Sequence, residues 1–323
     1  MMKDTIASQL HELRQNLNAI NNQLLPNFPE SQYYETLKDF PLTANYHIIP
    51  PSLRDNLDDI KSKYGQKTTA IYHKLTLCFL IKEALEDPRL KEDFPESIVS
   101  FYNRHFTWVL QNIQNNTDDA YYEYSNDLFL KDLNVCSLRM FPFGAHTVEL
   151  AAMSRRFIVD YGIRQLLEAS SFYVAKMRSN TPFYHIHLDT RWVADFNQIG
   201  WYRFFKTMAE MLKRNPHIKG VFGSSWFYDP HLEKISPGLS YLRRMPEQGG
   251  AKVFKFGSTA LDITNATYKS PARKKMYEEG QYLPTSYIFI WPRYELMQWA
   301  DNLPGFLSAS DFQKWLVSIT RPE

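Results

Sequence analysis

The run HIKGVFGSSWFYDP, residues 217–230, marks the point where the chain declares its fold. Gly220 and Gly223 interrupt an apolar, β-branched and aromatic strand pattern. Glycines inside a strand signal a bulge, a close approach by a ligand, or room made for a crossing helix. Eleven of the twelve glycines stand at Gly144 or later, and only Gly65 precedes them. Glycine gathers where backbone turns tightly or is approached closely. The asymmetry predicts a helical front half and a strand-and-turn back half, with any site in the back half.

Working outward, the front half carries helical periodicity. Ile6, Leu10, Leu13, Leu17, Ile20 and Leu24 recur at spacings of three and four and predict a helix over 3–25. Further helices are expected over 53–64 with Ser52 as N-cap, over 68–86 ending before Asp87-Pro88, and from Pro95 to about Gln114. The pattern changes near Phe129. Val135 to Leu150, broken by Pro142 and Gly144, reads as a bent strand or hairpin. Beyond it come a long helix over 155–178, a strand at Phe183–Asp189, a helix at Trp201–Lys213 and the strand at Ile218–Trp226. A short helix follows Ser236-Pro237, then a strand at Ala251–Gly257, a helix at Ser270–Glu279, a strand at Thr285–Trp291 and a helix at Tyr294–Asp301. Alternating strands and helices define a mixed-sheet α/β layered domain. The expected division is a helical domain at 1–128 and an α/β domain at 129–323.

Composition bounds the function. Among the 323 residues, 37 basic side chains nearly balance 35 acidic ones, a field too weak to imply nucleic acid as a partner. The opening MMKDTIASQL lacks a basic-then-apolar leader and no apolar run approaches about 18 residues, so a cytoplasmic protein with no membrane span is expected. Cys78 and Cys136 sit in apolar stretches as buried thiols. The 22 Phe, 20 Tyr and 7 Trp predict a core filled by rings, or an aromatic-lined pocket for an acyl ligand.

Two constellations carry chemistry. In HIHLDTR, residues 185–191, strand alternation places His185, His187 and Asp189 on one face. Two imidazoles and a carboxylate suit one metal ion, for a metal-dependent hydrolase or oxygenase. The plainer reading is a strand whose polar face bonds a neighbouring helix. In the second constellation, Ser224, Ser225 and Trp226 offer hydroxyls, strand-end amides and a pocket wall. Glu149, following His146 on the bent strand, is a candidate general base.

The tract SPARKKMYEEGQYLPTSYIFIWPR, residues 270–293, resembles the last helix and strand of GNAT-type acyltransferases. The family's helix ends in Tyr-x-x-x-Gly-Phe. Tyr277 matches its tyrosine, while Gly280 arrives one residue early and Gln281-Tyr282 replaces the Phe. The strand at 218–226, the following helix and the strand at 251–257 repeat the family's order over about the last 110 residues. Where the family has its glycine-rich phosphate loop, this chain has Asp229-Pro230 and then Ser236-Pro237-Gly238. The resemblance implies an acyl group moved from acyl-CoA or acyl-carrier protein to an amine. Glu149 or Asp189 would then be the base, the amides at Ser224, Ser225 and Trp226 would polarise the carbonyl, and Tyr277 would protonate sulfur. Beside this acyltransferase stand the metal-dependent reading, with His185, His187 and Asp189 as ligands, and a non-catalytic protein that binds a small ligand or partner.

Overall fold

A computed structural model describes residues 2–177 and 182–303. The chain divides into two compact units. One holds the residues up to Ala151 together with His187–Arg191; the other holds Ala152–Ile186 and the described residues from Trp192 onward. A helical N-terminal region is thus followed by mixed sheet and helix. No helix among the described residues is long and apolar enough to cross a membrane.

The first unit is built around the helix Gln66–Glu86. It is buried on most of its circumference, from Thr68 and Thr69 through Tyr72, His73, Leu75 and Leu77 to Ile81 and Ala84, rather than on one face. Such a helix is a core element and must be wrapped by others. The helices Met2–Ile20, Pro51–Tyr64 and Glu96–Asn115 pack against it. Pro51 occupies the first helical position and Pro50 the cap, so the start lies just ahead of the expected Ser52. Proline has no amide hydrogen to satisfy in the first turn, which suits it to that place. Both cysteines are free and buried, and burial pushes the Cys78 thiol up to about 12.

Residues 127–136 form a helix that the strand-like composition hid. Asn126 caps it by accepting from the amides of Leu128 and Phe129, and every residue from Phe129 to Cys136 is buried. The expected hairpin follows, with β1 at Met140–Phe143 antiparallel to β2 at His146–Ala151. Phe143 faces His146 across a two-residue turn in which Gly144 has φ +57°.

The second unit contains β3 (Phe183–Leu188), β4 (Gly220–Ser225), β5 (Lys252–Gly257) and β6 (Ser286–Pro292). Their order is β3-β4-β6-β5. β3 is shared by the division, since His187 and Leu188 belong to the first unit. β3 and β4 run parallel, joined by the helix Gln198–Arg214, whose N-terminus Asn197 caps; the β4–β6 and β5–β6 pairs are antiparallel. The expected long helix over 155–178 is interrupted. Helical turns at Arg156–Val159 and Gly162–Phe172 flank Gly162, whose φ of +87° ends one and starts the other; a π-helical turn spans Tyr173–Met177. A helix at Ala260–Thr267, closed by a Thr259–Asp262 capping box, had no apolar stripe to reveal it.

The strand glycines serve packing between strands. A Cβ on Gly223 would stand 2.7 Å from Ile186 Cγ1 and 2.9 Å from Phe289 Cε1, and one on Gly220 would stand 2.2 Å from the Trp291 carbonyl oxygen. Trp291 is fully buried and donates Nε1–H to the Gly249 carbonyl at 2.9 Å. The abundant aromatics are core here, with Trp201, Phe204, Phe205 and Phe289 essentially inaccessible. On β5, Gln165 accepts from the Lys255 amide at 3.1 Å and donates to the Lys255 carbonyl at 2.9 Å.

Two measurements check these arguments. Gly223→Ala overpacks the β3/β6 flanks and is expected to lower stability by about 1–3 kcal/mol in urea unfolding; unchanged stability would show that the space is available. The second concerns acid. Burial pushes His73 down to about 4 and His146 down to about 3. Between the ordinary histidine range and those values the unfolded chain binds more protons than the folded one. Their contribution is present above about pH 6.5 and is lost as pH falls toward 4. His73→Gln should therefore lose less stability than wild type between pH 7 and pH 5, and an identical loss would contradict the assignment.

Candidate metal centre

Glu149 comes from β2 and is 2% exposed. A carboxylate so buried needs hydrogen-bond donors or a positive partner. It receives the backbone amide of Tyr46 on Oε2 at 2.8 Å and the Asn45 side-chain amide on Oε1 at 3.4 Å. Its Oε1 also lies 2.9 Å from His187 Nε2. His187 is held from the side by the Tyr46 ring, edge-on with centroids 4.7 Å apart. Two residues earlier on β3, His185 stacks flat on Phe222, at 4.2 Å and 10°.

One ligand atom from each of Glu149, His185 and His187 lies within 4.8 Å of the others, with Glu149 buried and the two imidazoles partly so. Ligand atoms around a tetrahedral zinc stand roughly 3.3 Å apart, given metal–ligand bonds of about 2.0–2.2 Å. That spacing falls between the 2.9 Å Glu149–His187 contact and the 4.8 Å limit, so small side-chain adjustments admit an ion.

The carboxylate in this group is Glu149, where alternation along the strand pointed to Asp189. The correction has a local cause. β3 ends at Leu188, and Asp189 turns inward, its amide donating to the Ala145 carbonyl at 2.8 Å. Both its oxygens are taken by Arg191: Nε donates to Oδ1 at 2.9 Å and Nη2 to Oδ2 at 2.6 Å. Arg191 also donates through Nη1 to Asp132 Oδ1 at 2.5 Å and lies over the Trp108 ring at 4.4 Å. Asp132, wholly buried, accepts from Tyr121 at 2.6 Å and lies 2.9 Å from His105 Nε2. Burial works to raise the Asp132 carboxyl, but the Arg191 charge and these hydrogen bonds hold it below the usual carboxylate range. Burial likewise works against the Arg191 charge, and the two aspartates more than offset it.

A second clamp lies beside the first. Lys131, with a side chain 6% exposed, donates to Asp127 Oδ2 at 2.6 Å and to the Leu188 carbonyl at 2.8 Å. Asp127 also accepts from the Tyr46 hydroxyl at 2.6 Å. Sequence reasoning missed Asn45, Tyr46, Asp127 and Lys131. The first pair lies in a proline-flanked connection with no motif, and the second in the helix Asp127–Cys136, which the apolar spacing does not announce.

Of the residues expected from the acyltransferase resemblance, Glu149 and Asp189 belong to the first unit and Ser224, Ser225, Trp226 and Tyr277 to the second. Ser224 is exposed, and Ser225 Oγ accepts the Phe227 amide at 3.2 Å to cap the turn Trp226–Tyr228. Trp226 is 6% exposed, packs with Leu232, Ala266 and Tyr282, and carries the Arg273 guanidinium over its ring at 4.8 Å. Tyr277 is 37% exposed on the helix Pro271–Glu278. No protein-family model, curated protein or solved structure matches the chain.

Arg191→Met leaves Asp132 and Asp189 buried without their cation. Removing one partner of a buried pair costs about 3–5 kcal/mol. A matching fall in unfolding free energy is expected, and a change within error would mean that the clamp contributes no stability.

Proposed function

We propose that the protein is a metal-dependent enzyme whose divalent cation is held by Glu149, His185 and His187. The observation that carries this reading is the convergence of two imidazoles and one buried carboxylate within 4.8 Å. Two nitrogen donors and one oxygen donor favour a first-row ion such as zinc, iron or manganese over calcium or magnesium. Three protein ligands leave coordination positions open. Held by Glu149, His185 and His187, zinc would supply activation of water for hydrolysis, whereas ferrous iron would supply oxygen chemistry. The reaction is thus hydrolysis or oxygenation of a small molecule, decided by the metal.

His187 Nε2 and Glu149 Oε1 lie 2.9 Å apart, and a cation bound by both would replace this contact. Purified protein is expected to bind one equivalent of zinc or cobalt. Glu149→Gln and His187→Ala should weaken binding by at least the roughly 100-fold that outer-shell changes reach. Lack of saturable one-to-one binding, or a Glu149→Gln variant that binds like wild type, would refute the reading.

A second reading is the acyl transfer implied by the family resemblance. Its supporting observation is the parallel β3/β4 pair, matched only at Tyr184–Val221 and His185–Phe222. Ligands of α/β sheets bind beyond the carboxyl ends of such strands. In this reading His187, oriented by Glu149, deprotonates an amine, acyl-CoA or acyl-carrier protein is the donor, and half-exposed Tyr277 protonates the leaving thiolate. Thermal shift with acyl-CoA, together with loss of acyl transfer in Tyr277→Phe, would favour it over the metal centre.

A further inference from the structure

We propose that Tyr46 is the positioning residue of the metal centre, selecting Glu149 Oε1 as the ligand atom and locking His187 against it. The inference rests on the metal-dependent reading and adds to it a mode of coordination. Tyr46 is 5% exposed and held at both backbone groups by side chains. Its amide donates to Glu149 Oε2 at 2.8 Å, and its carbonyl accepts from Asn134 Nδ2 at 3.3 Å.

From Tyr46 a closed ring of contacts returns to the same carboxylate. The Tyr46 hydroxyl donates to Asp127 Oδ1 at 2.6 Å, and Lys131 donates to Asp127 Oδ2 at 2.6 Å. Lys131 then donates to the Leu188 carbonyl at 2.8 Å, which fixes the backbone next to His187. His187 Nε2 closes the ring at Glu149 Oε1, with its ring edge-on to Tyr46. Asp127, Lys131 and Asn134 lie on one capped helix, so a rigid element supplies the anchor points.

Two consequences follow from this ring. First, the Tyr46 amide takes a lone pair of Oε2 at 2.8 Å, while Oε1 carries the longer Asn45 contact at 3.4 Å and faces His187, so Oε1 is the atom presented to a cation. Second, the distance between Glu149 and His187 is set through Tyr46 and Lys131 rather than by the two ligands themselves. Outer partners of this kind orient metal ligands and tune affinity.

The test compares Tyr46→Phe, Lys131→Met and the double variant in the full-length chain. Zinc affinity is measured by calorimetry, and the coordination environment by the visible absorption of bound cobalt. Each single variant opens the ring once. Each is expected to weaken zinc binding roughly 10–100-fold and to shift the cobalt spectrum. The double variant should bind about as the weaker single one does, because a ring already open has nothing further to lose; independent sites would instead add. Circular dichroism of the metal-free proteins verifies folding, and Tyr46→Phe, which removes one oxygen, serves if Lys131→Met does not fold. Wild-type zinc affinity and cobalt spectrum in both single variants, or additive losses in the double variant, would overturn the inference while leaving the metal centre standing. Failure of the wild-type protein to bind zinc or cobalt would overturn the metal reading and this inference with it.

Discussion

The guanidinium of Arg191, bracketed by Asp132 and Asp189, is the interaction on which the placing of His187–Arg191 within the first unit depends. Three buried charges in contact are costly to desolvate. The arrangement is tolerable because nearly every lone pair is met: His105 and Tyr121 complete Asp132, and the Arg191 amide and side chain complete Asp189. The result is local rigidity at Leu188–Arg191, immediately after the histidine that faces Glu149. Lys131 adds a neighbouring tether on the Leu188 carbonyl. Chemistry that needs two side chains within a fraction of an ångström of a set distance gains from such fixed supports.

Much of the architecture could be read from spacing and punctuation. Helices at the front follow from the apolar stripe of Ile6 to Leu17 and from Ser52 and Pro95, each within a residue or so of a helix start. The hairpin follows from Pro142 and Gly144, and the β3–helix–β4 crossover from the helical pattern of Trp201–Lys213 and its stop at Asn215-Pro216. The failures have physical causes. Phe129–Cys136 is buried on all sides, so the helix shows no single apolar face, and Val135 and Cys136 read as the start of a strand. Gly162 splits a helix that its apolar spacing alone would continue.

The candidate site was half legible. The His185-x-His187 spacing on a strand is a local property, and the sequence displays it. The third member is a matter of tertiary pairing: Glu149 lies 38 positions before His187, and nothing in its own neighbourhood distinguishes it from any strand-end carboxylate. Asp189 looked right because alternation was extended one residue past the end of β3. Tyr46 lay further from view still, since its part is played by a backbone amide that every residue but proline possesses.

The pairing of Gln165 with Lys255 bears on how the molecule behaves in a crowd. β5 is the last strand in its sheet, and such a strand leaves a row of peptide groups able to recruit another chain. The primary amide of Gln165 carries the same donor and acceptor as a peptide bond and satisfies both groups of Lys255. The Tyr161 hydroxyl does the same for the carbonyl of Phe256. Side chains from one helical segment therefore act as a false extra strand, stopping the sheet from growing through its neighbours without adding a residue to it.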